Sequence, residues 1–322
     1  PTVSLQAFTA LLGKYDQIDG VWSLLADPIP AYWDAAEAAG RPLPVTVTFD
    51  QNQLIGEFLE RKPDHPELEV GFVTSRTWIT AETLKVALDT YYGNQVDPER
   101  LSIQNTMIDC TAECEDLHRP DMPGAWIPTS RVPVETLRLL LGGEETAAPA
   151  PVELFVAYED GYCGNSFRIH ARADLELEIA KHPEITKFVY SCAEGDLTKY
   201  ISDVESLVTQ GVDILLTLPD WGPSTVPALR EATEAGVIVV GNILPAGGES
   251  GVDYATEVFD DLKQNADLFV DYFAEKLPDG GVVVGIGGAA GNVYDPLMLG
   301  FMQEGLAERA PNIEFPEVAP GD

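Results

Sequence analysis

Short apolar runs alternate along the chain with stretches whose apolar residues recur every three or four positions, a pattern that predicts strands alternating with helices. Residues 1–13, PTVSLQAFTALLG, open as a helix with Val3, Leu5, Phe8, Leu11 and Leu12 near one face and Gly13 at its end. A buried strand follows at Ile18–Ala26, then a helix at Ile29–Gly40 and a strand at Leu43–Phe49. The alternation continues with a helix at Gln53–Arg61, a strand at 70–75 and a helix at Ala81–Tyr92. Periodicity then fades to about residue 131, in a proline-rich segment that reads as a surface tail laid across two lobes. GGEETAAPAP, 142–151, has no periodicity and reads as a linker.

After the linker the alternation restarts. Strand Leu154–Tyr158, helix Ser166–Lys181, strand Ile185–Cys192, helix Thr198–Gln210, strand Asp213–Thr217, helix Val226–Ala235 and strand Val237–Val240 follow in turn. A helix at Phe259–Lys276, a strand at Gly281–Ile286, a helix at Leu297–Ala310 and a short strand at Ile313–Val318 complete the series. Such alternation marks parallel sheets covered by helices on both faces. The first helix has no strand before it, and the last strand runs into APGD, a turn with no helix after it. The pattern therefore predicts a two-lobed, doubly wound α/β protein in circularly permuted order, a rearrangement that exposed loops tolerate. GGEETAAPAP would then join the original termini.

Composition narrows the class. With 322 residues the chain can bury more than one core, and 45% hydrophobic with 22% charged residues is ordinary for a globular protein. No apolar run approaches the roughly 20 residues of a membrane helix. The sequence begins at Pro1 without a signal-like apolar segment, so an export signal is expected to have been removed or to lie outside it. A net charge of −34 repels phosphate backbones and argues against nucleic acid as a partner.

The four cysteines are Cys110, Cys114, Cys163 and Cys192. A Cys-x3-Cys pair with no second pair nearby is a poor zinc site, so no metal is expected. Disulfides are the expectation, with free thiols the alternative. Cys163 and Cys192 each follow a strand, and neighbouring strand ends would bring them together.

Taken in unpermuted order, the chain carries NSFR (165–168), GVDILLTLP (211–219), GVIVVGN (236–242), Gly300–Phe301, IDGVW (18–22) and FDQN (49–52). In order and spacing these resemble the type I periplasmic sugar-binding proteins, the ribose-binding family of solute receptors for ABC importers. The resemblance implies two α/β lobes joined by a hinge, with ligand in the cleft at the carboxyl ends of the strands. By analogy, 76–105 and 151–279 would form the first lobe, and 280–322 and 1–75 the second. Residues 106–141 would be the tail across the lobes, and 142–150 the linker. The implied function is reversible binding of a monosaccharide or related polyol, with lobe closure read by a membrane permease and no catalysis. A monomer without cofactor is expected, in the periplasm or another extracytoplasmic space. GGEETAAPAP is similar to the flexible start of an exported, lipid-anchored protein.

The resemblance also nominates site residues. Asn165, Phe167 and Arg168 match the family's first ligand loop, Asn242 a polar contact after a strand, and Asp50 with Asn52 the family's Asp after a Phe. Amides, carboxylates, Arg and aromatic rings suit sugars, whose hydroxyls both donate and accept and whose ring faces are apolar. Trp221, Asp27, Asn292 and Asp295 are further candidates. Asp27 needs a shift to align, and the Arg many relatives carry near Asn292 is absent, which points to a different polyol or a more cationic ligand. Each has a plainer reading: Asp50 and Asn242 as helix caps, Phe167 as core, Trp221 as a surface cap.

Three other functions compete. GIGGAAGN, 285–292, fits a lone dinucleotide fingerprint, but no acidic residue closes a second strand, which weakens an oxidoreductase. A regulator on the same fold would add a basic DNA-binding segment, and none is seen. A sensing domain or receptor for a furanosyl signalling compound is the closer alternative.

Overall fold

Runs such as VVVGI and ILLTL carry apolar side chains on both faces, so each strand must be covered from two sides. Helices provide that cover. The computed structural model describes residues 2–98, 101–131, 154–288 and 291–321. In chain order it begins with α1 (Thr2–Lys14), β1 (Gly20–Ser23), α2 (Ile29–Ala38), β2 (Val45–Phe49), α3 (Asn52–Arg61), β3 (Val70–Val73) and α4 (Ile79–Tyr91). Then come β4 (Ser102–Ile103), β5 (Met107–Asp109), α5 (Cys110–Leu117), β6 (Leu154–Asp160), α6 (Ser166–Ile179), β7 (Ile185–Cys192) and α7 (Leu197–Thr209). The rest is β8 (Ile214–Leu218), α8 (Val226–Glu234), β9 (Ile238–Ile243), β10 (Thr256–Asp260), α9 (Leu262–Lys276), β11 (Gly281–Ile286), α10 (Tyr294–Arg309), β12 (Ile313–Glu314) and β13 (Val318–Ala319).

The chain divides into two units. Unit 1 comprises Pro1–Ser75, Asn105–Thr129 and Asp261–Asp322, and unit 2 comprises Arg76–Gln104 and Ser130–Asp260. In unit 2 the sheet runs β4-β10-β9-β8-β6-β7, parallel throughout. In unit 1 it runs β12-β11-β1-β2-β3-β5, with β13 continuing the β12 edge further along β11. Here only β5 is antiparallel, to β3.

Counted from β6, unit 2 has the doubly wound order 2-1-3-4-5. Unit 1 has the same order only when counted from β11, so that β12 and β13 are second and β1, β2 and β3 are third to fifth. Helix α1 lies where the crossover from second to third strand belongs: Lys14 Nζ is 2.6 Å and Tyr15 Oη 2.8 Å from Glu317, just before β13. Phe8 and Leu11 of α1 share a core with Val284 and Ile286 of β11 and with Ile29, Tyr32 and Trp33 of α2.

Two boundaries differ from expectation. Helix α9 falls in unit 1, not in the lobe that ended at 279, because its buried Phe269 packs against Trp22 at 6.5 Å and Phe49 at 6.1 Å. Residues 106–129, expected as part of a tail, are built into unit 1, as is Asn105, expected in the first lobe: β5 pairs with β3, and Cys110 and Cys114 lie in its core. β10 was not foreseen, since TEVFD has one fully buried side chain and little apolar signal. The linker at 142–150 lies outside the described residues, as do 132–141 of the tail and residues 289 and 290 of GIGGAAGN.

Among the described residues no helix is long and apolar enough to cross a membrane, and no group of three or more His, Cys, Asp or Glu is arranged to hold a metal ion. Phe8 is fully buried with its ring 4.8 Å from that of Tyr32. Phe8→Ala should therefore cost about 3–5 kcal/mol, read as a lower urea midpoint. An unmoved midpoint would mean that α1 is not part of the core of unit 1.

Candidate functional site

Strand β6 ends in Tyr158, Glu159 and Asp160, and alternation sends successive side chains to opposite faces. At the strand's carboxyl end the chain turns through Gly161, where a Cβ would collide with the Asp220 carboxylate, and enters α6. Asn165 caps that helix, its side-chain oxygen accepting from the Arg168 backbone N–H at 2.9 Å. The cap sets Arg168 in the first turn, where its guanidinium forks between two buried carboxylates. Nη1 donates to Asp160 and Nη2 to Asp220 Oδ1 at 2.8 Å. Asp160 also accepts from the Tyr190 hydroxyl at 2.9 Å and the Tyr162 backbone N–H at 3.3 Å.

Burial pushes the Asp160 carboxyl above its ordinary range, with Arg168 opposing the shift. Burial works against the charge of Arg168 too, but Asp160 and Asp220 together hold its pKa above the usual value.

An aromatic platform lies beside this fork. Tyr162 stacks on Trp221 with ring centroids 5.6 Å apart and planes at 28°, and Tyr200 meets Trp221 edge-on at 5.6 Å. Tyr162, Phe167 and Trp221 are half-buried, as is Asn165. A disulfide between Cys163 and Cys192 ties the loop after β6 to the end of β7, and Cys110 is bridged to Cys114 in α5.

Asn242, at the end of β9, is fully buried. Its amide nitrogen donates to the Tyr158 hydroxyl at 3.3 Å and its oxygen accepts from Thr83 Oγ1 at 2.7 Å. The next residue, Ile243, has φ +68, a left-handed conformation that a β-branched side chain rarely adopts. A tight turn there lets the Leu244 N–H reach the Asn242 carbonyl at 2.7 Å. Such strain persists where the surroundings fix the backbone, and here it bends the chain at a strand end.

On the other face of β6, Glu159 is also fully buried. Ser191 and Thr217 flank it on the paired strands β7 and β8. Burial raises its pKa to about 8, helped by Asp203 and Asp160 and opposed by Ser191 and Lys199. At neutral pH Glu159 is mostly an uncharged acid.

In unit 1 the nominated residues are largely engaged with their own neighbours. Asp50 is buried and accepts from the Ser75 N–H at 2.6 Å and from the Thr129 N–H at 2.9 Å and hydroxyl at 2.8 Å. Burial raises its pKa against these bonds. Asn52 clamps the loop after α5, donating to the Arg119 carbonyl at 2.8 Å and accepting from the Arg119 N–H at 3.0 Å. Asp27 is exposed and accepts from Gln51 at 2.7 Å. Asn292 caps the turn into α10 through the Tyr294 N–H at 2.7 Å. Asp295 accepts from the Gly288 N–H at 3.0 Å, and burial lifts its pKa to about 6.

A family model described as the periplasmic binding protein domain matches residues 161–322, from the turn after β6 onward. The chain belongs to this family. As a periplasmic binding protein domain it has curated and solved relatives. It is 31% identical over 127 residues to a ribose import binding protein of Bacillus subtilis, covering 39% of this chain and 40% of that one. A Caulobacter myo-inositol binding protein, solved with myo-inositol bound, is 22% identical with a TM-score of 0.48, covering 55% of this chain and 58% of that one. A Mycobacterium smegmatis ABC transporter solute binding protein with bound glycerol is 29% identical with a TM-score of 0.43, covering 51% and 55%. The chain thus spans less than two thirds of these relatives' own lengths.

Of the nominated residues, this periplasmic binding protein domain brings Asn165, Phe167, Arg168 and Trp221 to the strand ends of unit 2, with Asn242 buried at the end of β9. The plainer reading of Asp50 and Asn242 as helix caps is not met, whereas Asn165, nominated as a ligand contact, caps α6. Asp160, Asp220, Tyr162 and Tyr190 were not nominated. Their signal was the acidic pair closing an otherwise apolar strand, YED, and the PDW after β8.

Glu159 supplies a pH test. A folded pKa of about 8 against an ordinary 4.5 means that the folded state binds this proton more tightly, so the stabilisation is complete below about pH 4.5 and is lost as pH rises through 8. Glu159→Gln should melt increasingly above the wild type from pH 5 to pH 9. A melting-point difference independent of pH would show that Glu159 is ionised in the folded protein.

Proposed function

We propose that the protein is a solute receptor that binds a monosaccharide or related polyol reversibly at the strand ends and performs no chemistry on it. The observation that carries this reading is the grouping, at the carboxyl ends of β6 and β8, of the Tyr162–Trp221 stack with Asn165 and the Arg168 fork. A half-buried aromatic face suits the apolar face of a sugar ring, and the amide and phenol groups suit its hydroxyls. Asn165, Phe167 and Trp221 are proposed as contacts, with Arg168 and Asn242 fixing the shape of the site from below. In unit 1, Asp27, Asn292 and Asp295 are proposed to meet ligand, while Asp50 and Asn52 hold the backbone that presents it. An ABC permease is the proposed partner, a monomer the proposed state and a periplasmic or other extracytoplasmic space the proposed setting, with a lipid anchor proposed for the unpermuted parent.

We further propose that the chain order is a circular permutation of that of its relatives. The shared 2-1-3-4-5 order of the two sheets supports it, since unit 1 follows it only when counted from β11. A chain in which 322 is joined to 1 and the new ends are placed in 142–151 should fold with the same stability and ligand response. Loss of folding in that chain would count against the permuted order.

The function is tested by calorimetry and thermal shift over pentoses, hexoses and cyclic polyols. A true ligand raises the melting temperature by mass action, by about 2.7 kcal/mol of added stability at a hundredfold excess over Kd. Trp221→Ala should then weaken that ligand fivefold or more, on the order of the about 1 kcal/mol an aromatic stack contributes. No response from any member, with turnover of one of them, would end the receptor reading.

A further inference from the structure

The two disulfides sit in different surroundings. Cys110 and Cys114 are 2% and 0% exposed, inside the core of unit 1. Cys163 and Cys192 are half-buried, and their bond joins the turns after β6 and β7 beside the Tyr162–Trp221 stack. Neither belongs to the apolar core of unit 2 around Tyr200, Leu215 and Val239.

These turns are held unevenly. Near the strands they continue the ladder, the Ala193 N–H reaching the Asp160 carbonyl at 2.8 Å and the Gly195 N–H the Gly161 carbonyl at 2.9 Å. Tyr162 then lies against Gly195, where a Cβ would stand 3.0 Å from its ring. Gly195 has φ +82 and Glu194 φ +55, the latter uncommon for a residue with a side chain and kept only where the surroundings fix it. Asn165 and Asp196 anchor the far ends as the caps of α6 and α7. Between Tyr162 and Asn165 the support is covalent. Among the described residues no backbone hydrogen bond holds Cys163 or Gly164, and a Cβ at exposed Gly164 would meet nothing within 4 Å. The bond to Cys192 is what fixes this span.

A loop already held in its bound shape binds more tightly than one that must be ordered at each encounter. We infer that, in the receptor proposed above, the Cys163–Cys192 disulfide is the positioning element of the ligand loop. Opened, it leaves unit 2 folded, frees Tyr162 and Asn165 to move and weakens ligand binding.

The test works on the whole chain. Dithiothreitol supplies the two electrons: its thiolate attacks one cysteine sulfur and expels the other, and its second thiol closes a cyclic disulfide, leaving Cys163 and Cys192 as thiols. Because access governs attack, mild reduction followed by iodoacetamide should label Cys163 and Cys192 and spare Cys110 and Cys114. Amide hydrogen exchange across 161–168 should then quicken at least threefold, in the reduced wild type and in Cys163→Ser/Cys192→Ser alike, with β6 and β8 unchanged. D-ribose, D-galactose and myo-inositol are the probes. Each that binds the oxidised wild type should bind both opened forms at least fivefold more weakly, and reoxidation should restore the wild-type affinity. Unchanged exchange across 161–168 overturns the inference with or without a ligand. So does an unchanged affinity where exchange has quickened. Exchange quickened equally throughout β6 and β8 would make the disulfide a general stabiliser and end its positioning role. If the oxidised protein binds none of the three, the receptor reading fails for these ligands, and exchange alone decides whether the disulfide positions the loop.

Discussion

The strand-end architecture of unit 2 depends on keeping one guanidinium charged out of water. A buried Arg is tolerable only when its donors are matched by acceptors in fixed positions, because removing one partner leaves an uncompensated charge that costs several kcal/mol. Arg168 meets this through Asp160 at the end of β6 and Asp220 just after β8. These strands are adjacent and parallel, with Asp160 opposite Leu218, so the ladder sets Asp160 beside the turn that carries Asp220. Helix α6 must begin where Asn165 can cap it, and the turn between must pass so close to Asp220 that only glycine fits at 161. The Tyr162–Trp221 stack follows from the same constraints, since one ring rides on that turn and the other comes immediately after Asp220.

A second constraint operates at the level of the sheets. Parallel strands are joined by crossovers, and the right-handedness of those crossovers limits the orders a sheet can take. Both sheets adopt 2-1-3-4-5, yet β11, the first strand of unit 1 in that count, comes near the end of the chain. Pairing geometry does not depend on where a strand falls in the sequence. Nothing in the ladders β11–β1 or β1–β2 requires that β11 be made first. What must be preserved is the cover over β11, and α1 supplies it with Phe8 and Leu11 while Lys14 reaches Glu317.

The α/β alternation was legible because the strands are covered on both faces and the apolar runs are therefore continuous. Strand β10 escaped because its side chains are mostly half-buried and polar, and its pairing with β9 and β4 is a tertiary fact. The allocation of α9 to unit 1 was likewise invisible, since nothing in LKQNADLFVDYFAEK says which sheet Phe269 will face. Among the site residues, position at a strand end was legible and partnership was not. Asn52 and Asp50 have the residue types of ligand contacts, yet one clamps Arg119 and the other gathers Ser75 and Thr129. A polar residue at a strand end serves a ligand or the backbone according to which donors the fold brings near, and those donors lie up to 79 positions away.

Glu159 and Asp160 show how the same local sequence is resolved in opposite ways. They are adjacent and both fully buried, so alternation along β6 sends one carboxyl to each face of the sheet. On the Asp160 face the fold supplies a cation, and the acid becomes part of an ion network that orders a loop. On the Glu159 face it supplies hydroxyl-bearing neighbours, Ser191 and Thr217, and the acid keeps its proton with a pKa near 8. Desolvation acts on both; what differs is whether a buried positive charge stands within reach. The pair therefore gives β6 one face whose buried carboxyl is ion-paired and one whose buried carboxyl is not.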